Sequence, residues 1–558
     1  MFDSVSFMGQ REEVAGVRVP SAWASPQKED QMSSYLERAL SAKADRREFA
    51  LGAAGALALG ASGAGAQDEI SEGGNLQIAI IGEPPAVADA VFTTATITNN
   101  IAQQMFEGLF TFDESFNPQP MLIEDYDSSA DGLEFSFRLR SGITFHNGDP
   151  LTSADVVASL NRWGEINGRG RLIFDRMNSI EAPDETTVRM VFDQPSGVLP
   201  SFLARSEAMI TPASVAEAAG AEQIPEDQLI GTGPFRFEEH AIDQYLRLAR
   251  FDDYVSRDEE SNGLAGRRTP YLDSIDFVPV PDESVRANGL ITGEYHFADV
   301  LSADLAEMLE LDPGVESINV QPYYWYSPHF NKAAGLFTNQ ALRHAVQLCF
   351  SQSESMLAGF GREEFVRFDA SICGEETAWY STAGSDAYDN PDLDQARALL
   401  EEGGYDGETV RWIATREYPY NFLMADYTRQ QMEAIGMNVE LVVSDWATLV
   451  QNRADPDAYE IFLTGHSQYS HPATQPFNDS TWPGFWESEA KTDLVNAMIA
   501  ETDPDALSTI IDDYTTLVWE EMPFVKCGDN FVLRGRRAEV VGYVNVPDFF
   551  FWNVGLNG

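Results

Sequence analysis

The sequence predicts an α/β fold, with a mostly parallel sheet between about residues 390 and 465, and three observations carry that expectation. Between about residues 390 and 465, strand and helix patterns alternate at the spacing of right-handed crossovers. The stretch LEFSFRLR alternates strictly, with Leu133, Phe135, Phe137 and Leu139 on one face, which marks a half-buried antiparallel strand. The chain has 558 residues, 44% of them hydrophobic, which suits two or three packed cores rather than one and excludes global disorder.

The elements follow in order. Leu76–Ile81 (LQIAII) is a short buried strand. In TITNNIAQQMFEGLF, Ile97, Ile101, Met105 and Leu109 recur at helical spacing and share one face. HNGDP is a turn, and Thr152 with Asp155 forms a capping box that opens the helix TSADVVASLNRW. A second strand pair lies around EAPDETTVRMVF. Strands GTGPFRFEE, YLRLARF and SIDFVPVP follow, then a helix, SVRANGLITG. The aromatic stretch NVQPYYWYSPHFN is extended and reads as a crossing between lobes. The regular region then runs helix LDQARALLEE, strand TVRWIAT, helix NFLMADYTRQQMEAIG, strand NVELVV, helix SDWATLVQN and strand YEIFLT.

Before these elements, residues 45–66 (DRREFALGAAGALALGASGAGA) pair Arg46 and Arg47 with a weakly apolar run and a small-residue site ending at Ala66. The run is too short to span a bilayer, and the whole resembles a twin-arginine export signal. The alternative is an alanine-rich helix of a cytoplasmic protein. Met32 would begin a signal of ordinary length. No cysteine lies near the site, so no lipid anchor is expected, and no later stretch approaches about 18 consecutive apolar residues.

The formal net charge is −53, and of 36 basic residues only five are lysine. Such a balance excludes a nucleic-acid footprint and docking on anionic lipid. Carboxylates at this density hold a hydrated surface suited to salt; genomic base composition also favours arginine, and both readings stay open. Cys349, Cys373 and Cys527 are too few for a disulfide scaffold or a cysteine-ligated zinc site. Cys349 sits in a helical run and reads as buried. Cys373 and Cys527 either pair in an oxidising compartment or stay free.

In an open α/β sheet, ligands bind beyond the carboxyl ends of the strands. Three such ends are legible here: Arg416-Glu417-Tyr418, Ser444-Asp445-Trp446, and Gly465, His466, Ser467, Gln468 and Tyr469. The last loop, GHSQYSHP, either touches ligand or is an ordinary turn with capping residues. Enzyme signatures are missing. GHSQY lacks the second glycine of a nucleophile elbow, and neither a phosphate-binding loop nor a His-Glu-x-x-His motif occurs. His466 and His471 are off helical metal spacing, so a metal would need the loop to bring them together.

Several segments are similar to the family-5 solute-binding proteins of ABC importers. LEFSFRLRSGITFHNGDPLTSADVVASLNRW resembles that family's signature region. NIAQQMFEGLF, APDETTVRMVF, GTGPFRFEE, YLDSIDFVPVPDESVRANGLITGEY, HFNKAAGLFTNQALRHAV, ARALLEEGGY and WEEMPF support it. The resemblance implies a bilobal periplasmic-binding-protein fold (type II, cluster C-like) with an α+β subdomain inserted in the first lobe. The implied boundaries are a signal and extension at 1–66, lobe I at 67–100, the insertion at 101–228, lobe I again at 229–320, lobe II at 321–524, and lobe I at 525–558. Hinge strands would run through Tyr323–Asn331 and Pro523–Asn530.

It further implies a receptor, not an enzyme, without cofactor. It would bind a peptide or peptide-like small molecule in the periplasm of a Gram-negative bacterium, as a monomer, for ABC permease subunits; export by the twin-arginine translocase is the expectation from residues 45–66. The expected ligand-binding residues are Tyr323, Trp325, Arg416, Tyr418, Trp446, Gly465, His466, Ser467, Gln468, Tyr469 and Trp486, with Arg416 either gripping a ligand carboxylate or lying on the surface. In peptide-binding members the loop equivalent to GHSQYSHP carries an aspartate for the ligand's amino group; this loop has no acid between Gly465 and Gln475. The alternatives are a metal or metal-chelate carrier using His466 and His471, and a periplasmic hydrolase.

Overall fold

The computed structural model describes residues 70–557. The expectations for Met32, the paired arginines and the cleavage site therefore lie outside the described residues. The chain order is β1 (Asn75–Ile80), α1 (Thr96–Met105), β2 (Phe110–Phe112), β3 (Pro118–Pro120), β4 (Ile123–Ser128), β5 (Glu134–Leu139), α2 (Ser153–Ile166), α3 (Gly168–Phe174), β6 (Met177–Asp184) and β7 (Thr187–Phe192). Then come β8 (Phe235–Ala241), β9 (Tyr245–Arg250), β10 (Ser274–Pro279), α4 (Glu283–Thr292), β11 (Phe297–Leu301), β12 (Val315–Phe330), α5 (Gln340–Cys349) and β13 (Val366–Arg367). Later come α6 (Leu393–Glu402), β14 (Thr409–Thr415), α7 (Pro419–Ala434), β15 (Asn438–Ser444), α8 (Trp446–Asn452), β16 (Ile461–Ser467), α9 (Glu489–Ala500), α10 (Pro504–Glu521) and β17 (Gly528–Arg537), with further short helices and two two-residue strands outside this numbering.

One sheet runs through the molecule in the order β15-β14-β16-β12-β17-β11-β1-β10-β9-β8, with β13 added against β17. Its two halves meet at β12 and β17. The 16-residue β12 pairs with β17 from Val315 opposite Arg537 to Tyr326 opposite Gly528, and its far end pairs with β16. Parallel pairing holds between β14 and both β15 and β16, and between β1 and both β10 and β11. The parallel pairing expected between about residues 390 and 465 is present in β14, β15 and β16, while the central strands pair antiparallel and make the whole sheet mixed. Two hydrophobic clusters reflect the halves: one holds Leu76, Ile78 and Phe277, the other Ile461, Trp412 and Val410.

A separate four-stranded antiparallel sheet, β4-β5-β7-β6, carries the alternating motif. In β5 Phe135, Phe137 and Leu139 are buried, as period-two patterning requires. The box at α2 forms, with the Asp155 carboxylate accepting the Thr152 amide at 2.8 Å. Helix α1 ends at Met105, one turn before the expected Leu109, because Phe106 turns extended (φ −117°, ψ 151°).

Arginines from α3 and the segment after it reach residues beyond β16: Arg171 pairs with Asp479, and Arg176 donates to Asn496 Oδ1 at 2.6 Å. Val495 and Met498 of α9 and Tyr514 of α10 join the first cluster accordingly. The three cysteines are free and buried. Cys373 belongs to the first cluster and Cys527 to the second, so their placement in different cores replaces the possible disulfide.

Candidate functional site

A cavity of about 220 Å³ opens where the two halves of the sheet meet. Strands β12 and β17 form its floor through Tyr323, Tyr324, Tyr326, Asn530, Phe531 and Val532. The three strand ends read from sequence arrive at it. Tyr418 and Tyr420 follow β14, Trp446 and Arg453 follow β15, and Gly465, His466 and Ser467 end β16. Arg169, Arg205 and Glu207 line it from the segment that carries the small sheet, and Asp299, Asp548 and Trp552 from the first half.

Aromatic rings build much of the wall. Tyr326 meets Tyr420 edge-on at 4.8 Å between centroids, and Tyr418 meets Trp446 at 4.9 Å. The Tyr324 hydroxyl lies 2.5 Å from Thr96 Oγ1. Burial pushes the Tyr323, Tyr326 and Tyr418 hydroxyls well above their ordinary range, so they are neutral hydrogen-bonding groups.

Most charges in the wall are paired within it. Glu207 binds Arg169 and lies 3.6 Å from Arg205, and Arg268 stands 3.4 Å from Glu107. Asp299 accepts from Arg534 at 2.8 Å. Arg286 carries its charge on backbone carbonyls, donating to Val280, Pro281 and Val300. Arg453 is different. Its side chain is 7% exposed and makes no hydrogen bond or ion pair among the described residues. It lies instead among the rings of Trp446, Phe462 and Trp482, at 5.6–5.9 Å from their centroids. Burial pulls its guanidinium down to about 10, still charged at neutral pH.

Of the residues expected from sequence, Tyr323, Tyr418, Trp446, Gly465, His466 and Ser467 line the cavity. Five do not. Trp325 is fully buried and packs on His466, Phe477 and Phe524, because strand alternation sends Tyr324 and Tyr326 to the other face. Arg416 is exposed and lies 3.5 Å over the Phe422 ring, which makes it a surface arginine. Gln468 is buried and ties Arg367 to the Tyr324 carbonyl. Tyr469 donates to Asp548, and Trp486 donates to Glu521.

His466 meets His329 rather than His471, with Nε2 atoms 2.8 Å apart. His471 instead meets Trp379 edge-on and accepts the Ala473 amide. Among the described residues no group of three or more His, Cys, Asp or Glu side chains is placed to hold a metal ion. Sequence reasoning missed Arg453, Asp548, Tyr324, Tyr326, Tyr420 and Trp482. Alternation along the strand around Trp325 could have found Tyr324 and Tyr326, and Tyr420 stands two residues after Tyr418; nothing local marks the rest.

Residues 117–485 match the middle region of the bacterial extracellular solute-binding proteins, family 5. A probable peptide ABC transporter periplasmic-binding protein of Sinorhizobium fredii is 26% identical over 494 residues, covering 84% of this chain and 91% of the relative. The glutathione-binding protein of Escherichia coli K12 is 24% identical, covering 85% and 93%. The oligopeptide-binding protein AppA of Bacillus subtilis, solved with a nonapeptide, superposes with a TM-score of 0.77 at 18% identity, covering 88% of this chain and all of AppA. No helix among the described residues is long and apolar enough to cross a membrane.

Proposed function

Because the chain belongs to the bacterial extracellular solute-binding proteins of family 5, we propose that its cavity captures a peptide or peptide-like small molecule for an ABC importer. The protein works in the periplasm of a Gram-negative bacterium, as a monomer exported by the twin-arginine translocase, and hands its solute to membrane permease subunits. Residues 101–228 serve as the subdomain inserted in the first lobe. No chemistry is performed on the solute.

The observation that carries the peptide-like reading is Arg453, a buried, unpartnered guanidinium in the cavity wall. A buried charge without a partner is unfavourable, and a carboxylate arriving with the solute would satisfy it bidentately. The names of the relatives support the same class. A solute that touches both halves favours their approach by its differential affinity for the closed form.

Native mass spectrometry of gently purified protein tests this, with a co-purified carboxylate of peptide size expected. Small-angle scattering should show a smaller radius of gyration once that solute is restored. An unchanged profile, or a solute without an acidic group, would sink the reading.

A further inference from the structure

We propose that the Asp548 carboxylate is a cation subsite of this cavity, built to take the primary ammonium group of the bound solute. The inference rests on the peptide-like reading above and deepens it. Asp548 lines the cavity from the C-terminal segment, and its Oδ2 accepts the Tyr469 hydroxyl at 2.9 Å. No basic group among the described residues forms an ion pair with it.

The other cavity carboxylates are committed. Asp299 is held by Arg534, Glu207 by Arg169, and Glu107 by Arg268, Tyr254 and Thr232. Glu283 has no basic partner among the described residues either, but it opens helix α4, whose amide end favours an anion, and it accepts the Ser302 amide at 2.9 Å. Among the described residues Asp548 has a single neutral donor, and its Oδ1 accepts no hydrogen bond from them.

The surroundings set the geometry of the subsite. Tyr469 follows β16 in the loop that holds no acid between Gly465 and Gln475. Its ring stacks on Phe116 at 4.5 Å between centroids, which fixes the hydroxyl on Asp548. Burial raises the Asp548 carboxyl, while Arg205, the Tyr469 bond and Arg534 act against that rise. An ammonium group would add the short-range partner now missing, through up to three N–H donors. Asp548 neighbours Phe549, which packs on Phe297 of β11 in the first half, while Arg453 caps α8 in the second. A zwitterion with its ammonium on Asp548 and its carboxylate on Arg453 therefore spans the two halves.

The test is calorimetric titration of the purified full chain with Ala-Phe, Ala-Ala-Ala and glutathione, each free and N-acetylated. Acetylation removes the charge and should weaken binding about 10- to 100-fold, the usual worth of a charged hydrogen bond. Asp548→Asn should weaken the free probes by a similar factor and leave the acetylated ones unchanged. Wild-type protein alone decides the matter if that variant folds poorly. Equal affinity for free and acetylated probes would overturn the ammonium subsite and leave the peptide-like reading standing. Failure of every probe in both forms would overturn the two together.

Discussion

The Nε2 atoms of His329 and His466 lie 2.8 Å apart, and Ser327 Oγ stands 3.0 Å from the first of them. One imidazole must donate and the other accept, so the two rings are not doubly protonated together. Phe462, Phe477, Trp482 and Phe524 surround the pair. Burial first, and neighbouring cations second, hold both groups well below the ordinary histidine range; for His329 the second factor is His466 itself. His471, buried apart from them, is pulled down to about 4.

A pH dependence of stability follows with a definite sign. Below about pH 6.5 the unfolded chain takes up protons that these buried histidines refuse. Stability is therefore complete above that pH and lost as the pH falls towards 4. Each histidine contributes a slope approaching about 1.4 kcal/mol per pH unit. Urea unfolding measured from pH 7.5 to 4.5 should show the decline, and His466→Gln should flatten it. A slope untouched by that change would remove the pair from the account.

Arg453 should trade binding against stability. Its guanidinium has no hydrogen-bond or ion-pair partner among the described residues and lies among rings, so Arg453→Met removes a buried charge and fits the apolar surroundings. Thermal midpoint without solute should rise, by about 1–4 kcal/mol of stability if buried ion sites elsewhere are a guide. Affinity for a peptide with a free carboxylate should fall about 10- to 100-fold, and affinity for its amide should hold. Loss of affinity for both probes alike would argue for a steric role.

Gly465 is needed for its missing side chain. A Cβ there would stand 2.8 Å from Tyr326 Cε1 and 2.9 Å from Cζ, with Tyr324 Cδ2 at 3.3 Å. Gly465→Ala must move rings that form the cavity floor, costing about 1–3 kcal/mol of overpacking. Weaker solute binding and a lower urea midpoint should appear together. A variant that binds normally would show that the rings yield freely.

Asp529 anchors the start of β17. It accepts from Lys526 Nζ and Arg367 Nε, each at 2.8 Å, and both it and Lys526 are buried. Asp529→Asn leaves the buried Lys526 ammonium without its counter-ion, although the Asp369 carbonyl still accepts from it, and should cost about 3–5 kcal/mol in urea unfolding. Arg367 also donates to Gln468, which holds the Tyr324 carbonyl, so binding should weaken as well. A loss below 1 kcal/mol would mean that water reaches Lys526.

Much of the architecture was legible because it rests on local rules. Phe135, Phe137 and Leu139 alternate, and they are buried in β5. Thr152 and Asp155 sit three apart, and they cap α2. The crossovers between 390 and 465 placed Tyr418, Trp446 and Gly465 at strand ends, where an α/β sheet receives ligand. Arg416, Gln468 and Tyr469 stand at the same strand ends, but position along the chain does not say which way a loop side chain turns; Trp325 and Trp486 were chosen by type alone. Both are large and aromatic, but that chemistry suits a core as well as a cavity.

Periodicity, capping and strand–helix alternation were determined by the order of residues, since each acts within about one turn or one strand pair. Three-dimensional packing decided which charges would be spent on each other. Arg169 found Glu207 and Asp299 found Arg534 across long stretches of chain, whereas Arg453 and Asp548 were left without ionic partners in the wall. Whether a charge is paired depends on distance and burial, and neither is written in a residue's neighbours along the chain.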